Sequence, residues 1–456
     1  MERRNRITIS KTLIKEITLL ALPIIIQGIV FELQSLTDKA FLGHLKTEYV
    51  SAIGAAQLPL GATVAGVIAL GVGVTIIVAH MVGAGKYKES LNYVKSSMLY
   101  CGLVGVAFFA LWEIFAYPIL EFFKVDPLII DKSVSYVRIC AVVFLGLGID
   151  TTMSSMLQGM GKTRVIMYSG LIKVGFNILL SWILIFGKFG FKAYNVEGAA
   201  MGTLLANLIA FMFILCYCFV VKRKEIGLGK IRLCDLKFTY FKKVLSLGAP
   251  AAAEYMLWHF SNLILVRFIN EFSYVSMSIY TVTFGIQCIV SSIYSNYSKA
   301  ALTLIGQSLG AKNYKKANSI LYNCMFINTI LIAVVNIIFL FASKDILGIF
   351  INDAHIVDMG DKYLKFIGII MFPQSLNIIC GNAIKGNGNT KWMLFSQIIG
   401  STFVICSSVI MIRVFHMNMM AIYTVVFMDE TIRGIANYIY YKKKYLDAGT
   451  RQASVA

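Results

Sequence analysis

The chain has 456 residues, of which 58% are apolar and only 14% charged, with a formal net charge of +19. A soluble domain needs roughly a quarter of its residues charged to cover its surface, so a soluble multidomain enzyme is excluded. The apolar residues gather in runs of about 20, the length that crosses a ~30 Å hydrocarbon core as a helix, which describes a polytopic membrane protein.

The first expected span, 17–41, follows a basic stretch (Arg3, Arg4, Arg6, Lys11 and Lys15) and lacks a small-residue cleavage site. It reads as an uncleaved first helix. Spans 2 and 3 (51–80, 92–118) flank Lys86 and Lys88, and spans 4 and 5 (133–157, 165–187) flank Lys162 and Arg164. Span 6 (196–221) leads into the longest polar segment, 222–243, which is strongly basic. Spans 7 to 12 are expected at 244–269, 275–306, 317–342, 359–383, 393–413 and 420–441. Their basic turns hold Lys312, Lys315 and Lys316, then Lys385 and Lys391, and finally Lys442 to Lys444. Intervening loops hold only scattered cations such as Lys46, Lys124, Lys188, Lys344 and Arg413. Lys and Arg mark the cytoplasmic side of membrane helices. The charge therefore reads as loop asymmetry rather than nucleic-acid binding, with both termini cytoplasmic and a plasma (inner) membrane location.

A shift of 227 residues superimposes the two sets of six spans. LALP at 20–23 meets LGAP at 247–250, VGAGKYK at 82–88 meets LGAKNYK at 309–315, ILEFFKVD at 119–126 meets ILGIFIND at 346–353, and QGMGKTR at 158–164 meets KGNGNTK at 385–391. Constant register over such a distance indicates duplication. Six spans per copy make the copies parallel repeats, an architecture with a substrate pathway between halves. The expected organisation is an N-lobe at 1–221, a basic cytoplasmic linker at 222–243, a C-lobe at 244–441 and a cytoplasmic tail at 442–456. The Gly-x-Gly turns call for positive φ. Gly161-Lys162-Thr163 is similar to the tail of a phosphate-binding loop, but Met156 stands where its first glycine belongs and no strand precedes it, so the turn reading holds.

Ionisable groups at bilayer depth are functional hypotheses by default. On span 1, Gln27, Gln34 and Asp38 fall within about 40° of one another at 100° per residue, a polar stripe that should face a cavity. Glu254 shares a face with Trp258 and Ser261 on span 7 and is the duplicate of Gln27. Glu32 and His259 are duplicates of each other, each about 140° from that face. Lys39 shares the Glu32 face, so an ion pair competes with a functional role there. His259 has the residue type that titrates near neutrality. Lys173, Asp150 and Lys299 read either as snorkelling and charge-paired groups or as the lining of a partly basic cavity suited to anionic or zwitterionic cargo. Asp429 and Arg433 are spaced to pair along one helix.

Taken together, LALPIII at 20–26, TDKAFLG at 37–43, VGAGKYKES at 82–90, LQGMGKTR at 157–164, NILLSWILIFG at 177–187, VEGAAMGT at 196–203, GQSLGAKNYKKA at 306–317 and KGNGNTK at 385–391 resemble the multidrug and toxic compound extrusion (MATE) family of transporters. The resemblance implies an all-α polytopic membrane protein whose twelve transmembrane helices form two parallel-repeat six-helix lobes in a V around a central cavity. It also implies antiport of H⁺ or Na⁺ against an organic, usually cationic, compound. It assigns ion coupling to Asp38, Asn177, Ser181 and Thr203, with Na⁺ possible at Asp38, Asn177 and Thr203. Members often carry Asp or Asn where this chain has Ser181. The family's span 7 glutamate sits one turn further along, where Trp258 stands here, and span 10 lacks a buried acid between Tyr363 and Gly381.

The five histidines are scattered and no HExxH or paired Cys/His spacing occurs, so no resident metal or other cofactor is expected. No catalytic constellation stands out, and an enzyme is not expected. The reading is an ion-driven exporter of small molecules embedded in lipid, with no nucleic-acid partner and no obligate protein partner. Gln27, Gln34, Glu254, Trp258, Ser261 and His259 are candidates for its cavity. A flippase for a lipid-linked saccharide or other anionic metabolite is the alternative, favoured by Lys173, Lys299 and Arg267. A membrane-embedded enzyme or receptor is a third.

Overall fold

The computed structural model describes residues 9–43, 47–123, 125–229, 235–351 and 353–446, so Arg3, Arg4, Arg6 and much of the C-terminal tail lie outside the described residues. The first half runs through α1 (Lys11–Gly43), α2 (Thr47–Gly83), α3 (Tyr87–Phe122), α4 (Pro127–Ala141), α5 (Phe144–Gly159), α6 (Thr163–Phe186), α7 (Asn195–Cys216) and the single turn α8 (Arg223–Ile226). The second runs through α9 (Phe238–Asn270), α10 (Tyr274–Gly310), α11 (Tyr314–Gly348), α12 (Ala354–Gly386), α13 (Thr390–Val409) and α14 (Met420–Tyr441). α7, α13 and α14 each end in a π-helical stretch.

Nine helices among the described residues are long and apolar enough to cross a membrane by length and composition. The three spans outside that set have visible reasons. Span 4 is broken into α4 and α5, of 15 and 16 residues, each short of the roughly 20 a crossing needs. α9 carries Glu254, His259 and Arg267, and α14 carries Asp429, Glu430 and Arg433.

The duplication is visible in helix limits. α1 and α9 start and end 227 residues apart, as do α2 and α10. The start of α4 and the end of α5 recur at the same shift as the two ends of α12. Turn backbones repeat as well: φ is +80° at Gly161 and +82° at Gly388, and +71° at Gly85 against +56° at Lys312. The copies differ where α4 gives way to α5, since α12 is continuous through its internal Pro373. At that break α5 is pressed backbone to backbone against α3. A Cβ on Gly148 would lie 2.0 Å from the Cys101 carbonyl oxygen, and one on Gly105 would lie 2.2 Å from that of Phe144.

The chain packs as two compact units, one of Ile26–Ala252 and one of the residues up to Ile25 together with Ala253 onward. The divisions fall inside α1 and α9, just past Pro23 and Pro250. Proline removes a backbone donor and crowds the preceding turn, so each helix can change packing partners there. Ile17 and Ala21 of α1 join the core built on Tyr297, Leu304 and Ile320. Phe241 and Val244 of α9 join the core built on Val74, Met153 and Leu157.

The described part of 222–243 is held against α3 and the 158–164 turn. Ile226 and Leu228 are buried in the core, worth about 1.5–3 kcal/mol each. The Tyr87 hydroxyl donates to the Ile226 carbonyl at 2.7 Å, and Lys95 pairs with Asp235 at 3.0 Å. Glu225 accepts from Lys162 and, at 3.1 Å, from Lys222. The hydrogen bond from Lys162, followed by that from Lys222, holds its carboxyl below the usual carboxylate range.

Candidate functional site

In the unit of Ile26–Ala252, glycines let α6 and α7 meet closely. A Cβ on Gly202 would lie 2.4 Å from Ser181 Oγ, and one on Gly198 would lie 2.7 Å from the Leu184 carbonyl. This brings three of the expected ion-coupling residues together. Asn177 Nδ2 donates to Thr203 Oγ1 at 3.1 Å, and Asn207 Nδ2 donates to the Thr203 carbonyl at 2.7 Å. Asn177 and Ser181 are fully buried, yet Asn177 Oδ1 and Ser181 Oγ have no hydrogen-bond partner among the described residues. Gln34 Oε1 is a third such buried acceptor. Each unsatisfied group costs about 1–3 kcal/mol, so the Asn177 and Ser181 acceptors, one turn apart on α6, mark a place suited to a cation or water.

Helix register relates these acceptors. α1 and α6 touch where Gln27 lies against Gly170, whose Cβ would fall 2.6 Å from Gln27 Cγ. On the topology expected from the sequence these two helices, spans 1 and 5, run in the same direction. Seven residues further on each helix stand Gln34 and Asn177, and eleven further stand Asp38 and Ser181. Both steps are close to whole turns, so Asp38 and Ser181 occupy one level and one face of their helices. The side chains of Asp38 and Lys39 lie outside the described residues, as does any Glu32–Lys39 pair; Glu32 itself is half-buried. Lys173, one turn before Asn177, sits 5.4 Å over the Phe31 ring and is the electrostatic partner of Asp150, whose Oδ1 is buried without a hydrogen-bond partner among the described residues.

In the other unit, Trp258 and Ser261 line a cavity of about 70 Å³. Its wall is aromatic at Tyr280, Phe284 and Tyr423 and charged at Asp429, Glu430 and Arg433. Arg433 meets Asp429 through Nη2–Oδ2 at 2.6 Å and Nε at 3.0 Å, as the i,i+4 spacing predicts, and it also reaches Glu430 at 3.5 Å and Gln397 Oε1 at 2.7 Å. Glu254 lies off the cavity wall. It pairs with Lys385 at 2.9 Å and keeps Oε2 buried and unpartnered among the described residues. Lys299 donates to Asn296 at 2.9 Å and lies within electrostatic reach of Lys385. His259 is also off that wall, edge-on to Tyr255 and Trp258 at centroid distances of 4.7 and 4.9 Å.

Sequence reasoning missed Glu430 with its two amides. Gln374 Nε2 donates to Oε1 at 3.3 Å and Asn377 Nδ2 to Oε2 at 2.8 Å. The available signal was two amides spaced i,i+3 on span 10 and a second acid beside Asp429 at mid-span. Span 10 holds no acid of its own there; span 12 supplies one.

Comparison with known proteins agrees with this architecture. The MatE family model matches residues 23–183 and 250–410, two segments at the 227-residue shift. The probable multidrug resistance protein NorM of Thermotoga maritima is 27% identical over 381 residues, covering 82% of this chain and 80% of the relative. The multidrug export protein MepA of Staphylococcus aureus is 22% identical over 387 residues, covering 84% of each. Among solved structures, a MATE protein in a bent conformation superimposes with a TM-score of 0.88 over the whole of both chains at 17% identity. A MOP superfamily transporter from Pyrococcus furiosus, described as having a binding pocket of reverse polarity, superimposes with a TM-score of 0.87 over 98% of both chains at 18% identity. With both family segments matched and the fold shared end to end, the chain belongs to the MatE family of multi-pass membrane transporters.

Proposed function

We propose that the chain is a secondary antiporter that exports small organic compounds, usually cationic, in exchange for H⁺ or Na⁺. The observation that carries this reading is the pair of buried acceptors at Asn177 and Ser181, one turn apart on α6 and without hydrogen-bond partners among the described residues, at the register positions of Gln34 and Asp38. A carboxylate among neutral oxygens is a donor set for Na⁺ and equally a site for a cycling proton. Asn177 and Thr203 would present the neutral oxygens, and Asp38 the charge. In the outward-open state Asp38 takes up the cation and substrate leaves; in the inward-open state substrate binding favours cation loss. Thermodynamically this requires only reciprocal coupling between two ligands. With basic turns and both termini facing the cytoplasm of a plasma (inner) membrane, an inward gradient of the coupling ion would drive net transport outward. The names carried by the Thermotoga and Staphylococcus relatives, multidrug resistance and multidrug export, support the substrate class.

The test is efflux from proteoliposomes under separately imposed proton and sodium gradients. Efflux is expected to follow one gradient, to need no nucleotide, and to be abolished by Asp38→Asn with expression intact. Unchanged efflux in that variant removes Asp38 as the coupling residue. A second reading, movement of an anionic or lipid-linked metabolite, is favoured by Lys173 and by Lys299 beside Lys385, which place cations where acids alone would suit a cationic drug. Accumulation of a lipid-linked precursor in a deletion strain would favour it.

A further inference from the structure

We infer that Glu430 is a proton-binding site whose protonation state is transmitted through two side-chain amides to Trp392 at the start of α13. The hydrogen bonds around Glu430 form a chain with a forced direction. The Trp392 indole N–H can only donate, and it donates to Asn437 Oδ1 at 2.8 Å. Asn437 must then offer its Nδ2, which donates to Asn377 Oδ1 at 2.8 Å. Asn377 is left with its own Nδ2 toward Glu430 Oε2, at 2.8 Å. On the other oxygen the observed donors run the same way. Tyr294 O–H and, at 3.2 Å, Gln287 Nε2 both donate to Gln374 Oε1, so Gln374 turns its Nε2 to Glu430 Oε1. Both flanks thus present N–H groups to the Glu430 carboxylate oxygens.

A proton arriving at Glu430 meets an uneven pair of oxygens. Oε1 faces the Arg433 guanidinium at 3.5 Å, whereas Oε2 accepts from the neutral Asn377 amide. The new O–H bond therefore forms at Oε2, and the donor it faces must become an acceptor. Asn377 turns its amide over to present Oδ1, which directs its Nδ2 at Asn437. Asn437 turns in the same way and directs its Nδ2 at the Trp392 N–H. Two donors then face each other, and the indole loses its hydrogen bond. No bond beyond O–H changes: hydronium arriving from solution through the cavity gives its proton to Oε2 and leaves as water. That cavity is lined by Gln374, Asp429 and Glu430 and has about 70 Å³ of room, against roughly 10–15 Å³ for one water.

The charged and titratable surroundings are few. Among the described residues α14 itself brings Asp429, Arg433 and, across the shared cavity, Tyr423; α10 brings Tyr294 and Tyr280, α13 the neutral Gln397, and α12 the two amides. From α9, Glu254 acts on Arg433 and is itself paired to Lys385, with Lys299 nearby. With Asp429 and Glu430 against Arg433, the group carries one uncompensated negative charge, the condition under which one carboxyl can take a proton.

The experiment uses the full-length protein in nanodiscs with Trp392 as its only tryptophan (Trp112→Phe, Trp182→Phe, Trp258→Phe). Emission and the infrared carboxyl band are followed from neutral to acid pH. Trp392 emission is expected to shift in step with the one component of the protonated carboxyl band that is absent from the difference spectrum of Glu430→Gln, and the emission shift is lost in that variant. Asn377→Leu cuts the relay but keeps the acid, so the band persists while the emission becomes flat. Emission that does not change with pH in the parent overturns the inference, and so does emission that still titrates in Asn377→Leu. Neither readout involves transport, so the result is independent of which ion drives the exporter.

Discussion

At the scale of single residues, the two units handle buried charge differently. Asn177, Ser181 and Gln34 are neutral groups with acceptors that have no hydrogen-bond partner among the described residues, so the unit around α6 and α7 keeps buried polar capacity without a buried ion pair at these positions. The Asp429–Glu430–Arg433 group is already internally compensated in part, with exposures of 5, 5 and 8%. Removing one member of a buried pair costs about 3–5 kcal/mol because the other charge is left uncompensated. Arg433→Met, which strands two carboxylates, is therefore expected to lower the unfolding midpoint of the detergent-solubilised protein sharply, by a loss in that range. Adding Asp429→Asn to the same chain removes one stranded charge and should recover much of it. If the double variant is no more stable than the single one, the loss came from packing of the long Arg433 side chain and not from charge.

At the scale of elements, glycine decides where helices approach. At Gly148 a methyl group would have to overlap the Cys101 carbonyl, and backbone cannot yield as a flexible side chain does. Gly148→Ala is expected to push α3 and α5 apart and cost about 1–3 kcal/mol or more. Gly175, in the middle of α6, has open space where its Cβ would go, and Gly175→Ala should be neutral or stabilising by up to ~1 kcal/mol from helix propensity alone. Thermal unfolding of the two variants side by side separates close packing from propensity; equal shifts would mean the approach at Gly148 is not held tightly. The repeat was legible because turns and helix limits are local: Gly161 and Gly388 need positive φ, and any sequence with those turns at constant spacing shows them. The break between α4 and α5 was not legible, because it is set by contact with Gly105 from another helix. Glu430 escaped for the same reason: its role depends on Gln374 and Asn377, more than fifty residues away in the chain.

At the scale of the whole molecule, the duplicated halves have kept one arrangement and rewired it. Asp150 and Lys173 of the first copy fall at the repeat positions of Asn377 and Gly400 in the second. The first copy draws its cation from α6. In the second, the missing side chain at Gly400 leaves room that Arg433 of α14 fills, since a Cβ there would lie 2.6 Å from Arg433 Cδ and Nε and from Asp429 Oδ1. The cation has moved to another helix while its position relative to the repeat has been retained, which neither copy's sequence discloses by itself. Gly400→Ala should then be destabilising by about 1–3 kcal/mol, and the penalty should depend on the guanidinium arm. In an Arg433→Ala background the contacts with Cδ and Nε are gone and Asp429, released from the guanidinium, can turn its carboxylate aside, so adding Gly400→Ala should cost less than in the parent. A double-mutant cycle from thermal unfolding is expected to give a coupling above about 0.5 kcal/mol, the scale seen for residues in contact. Additive effects would mean that α13 and α14 adjust freely around the new methyl, and that Gly400 does not hold the space for Arg433.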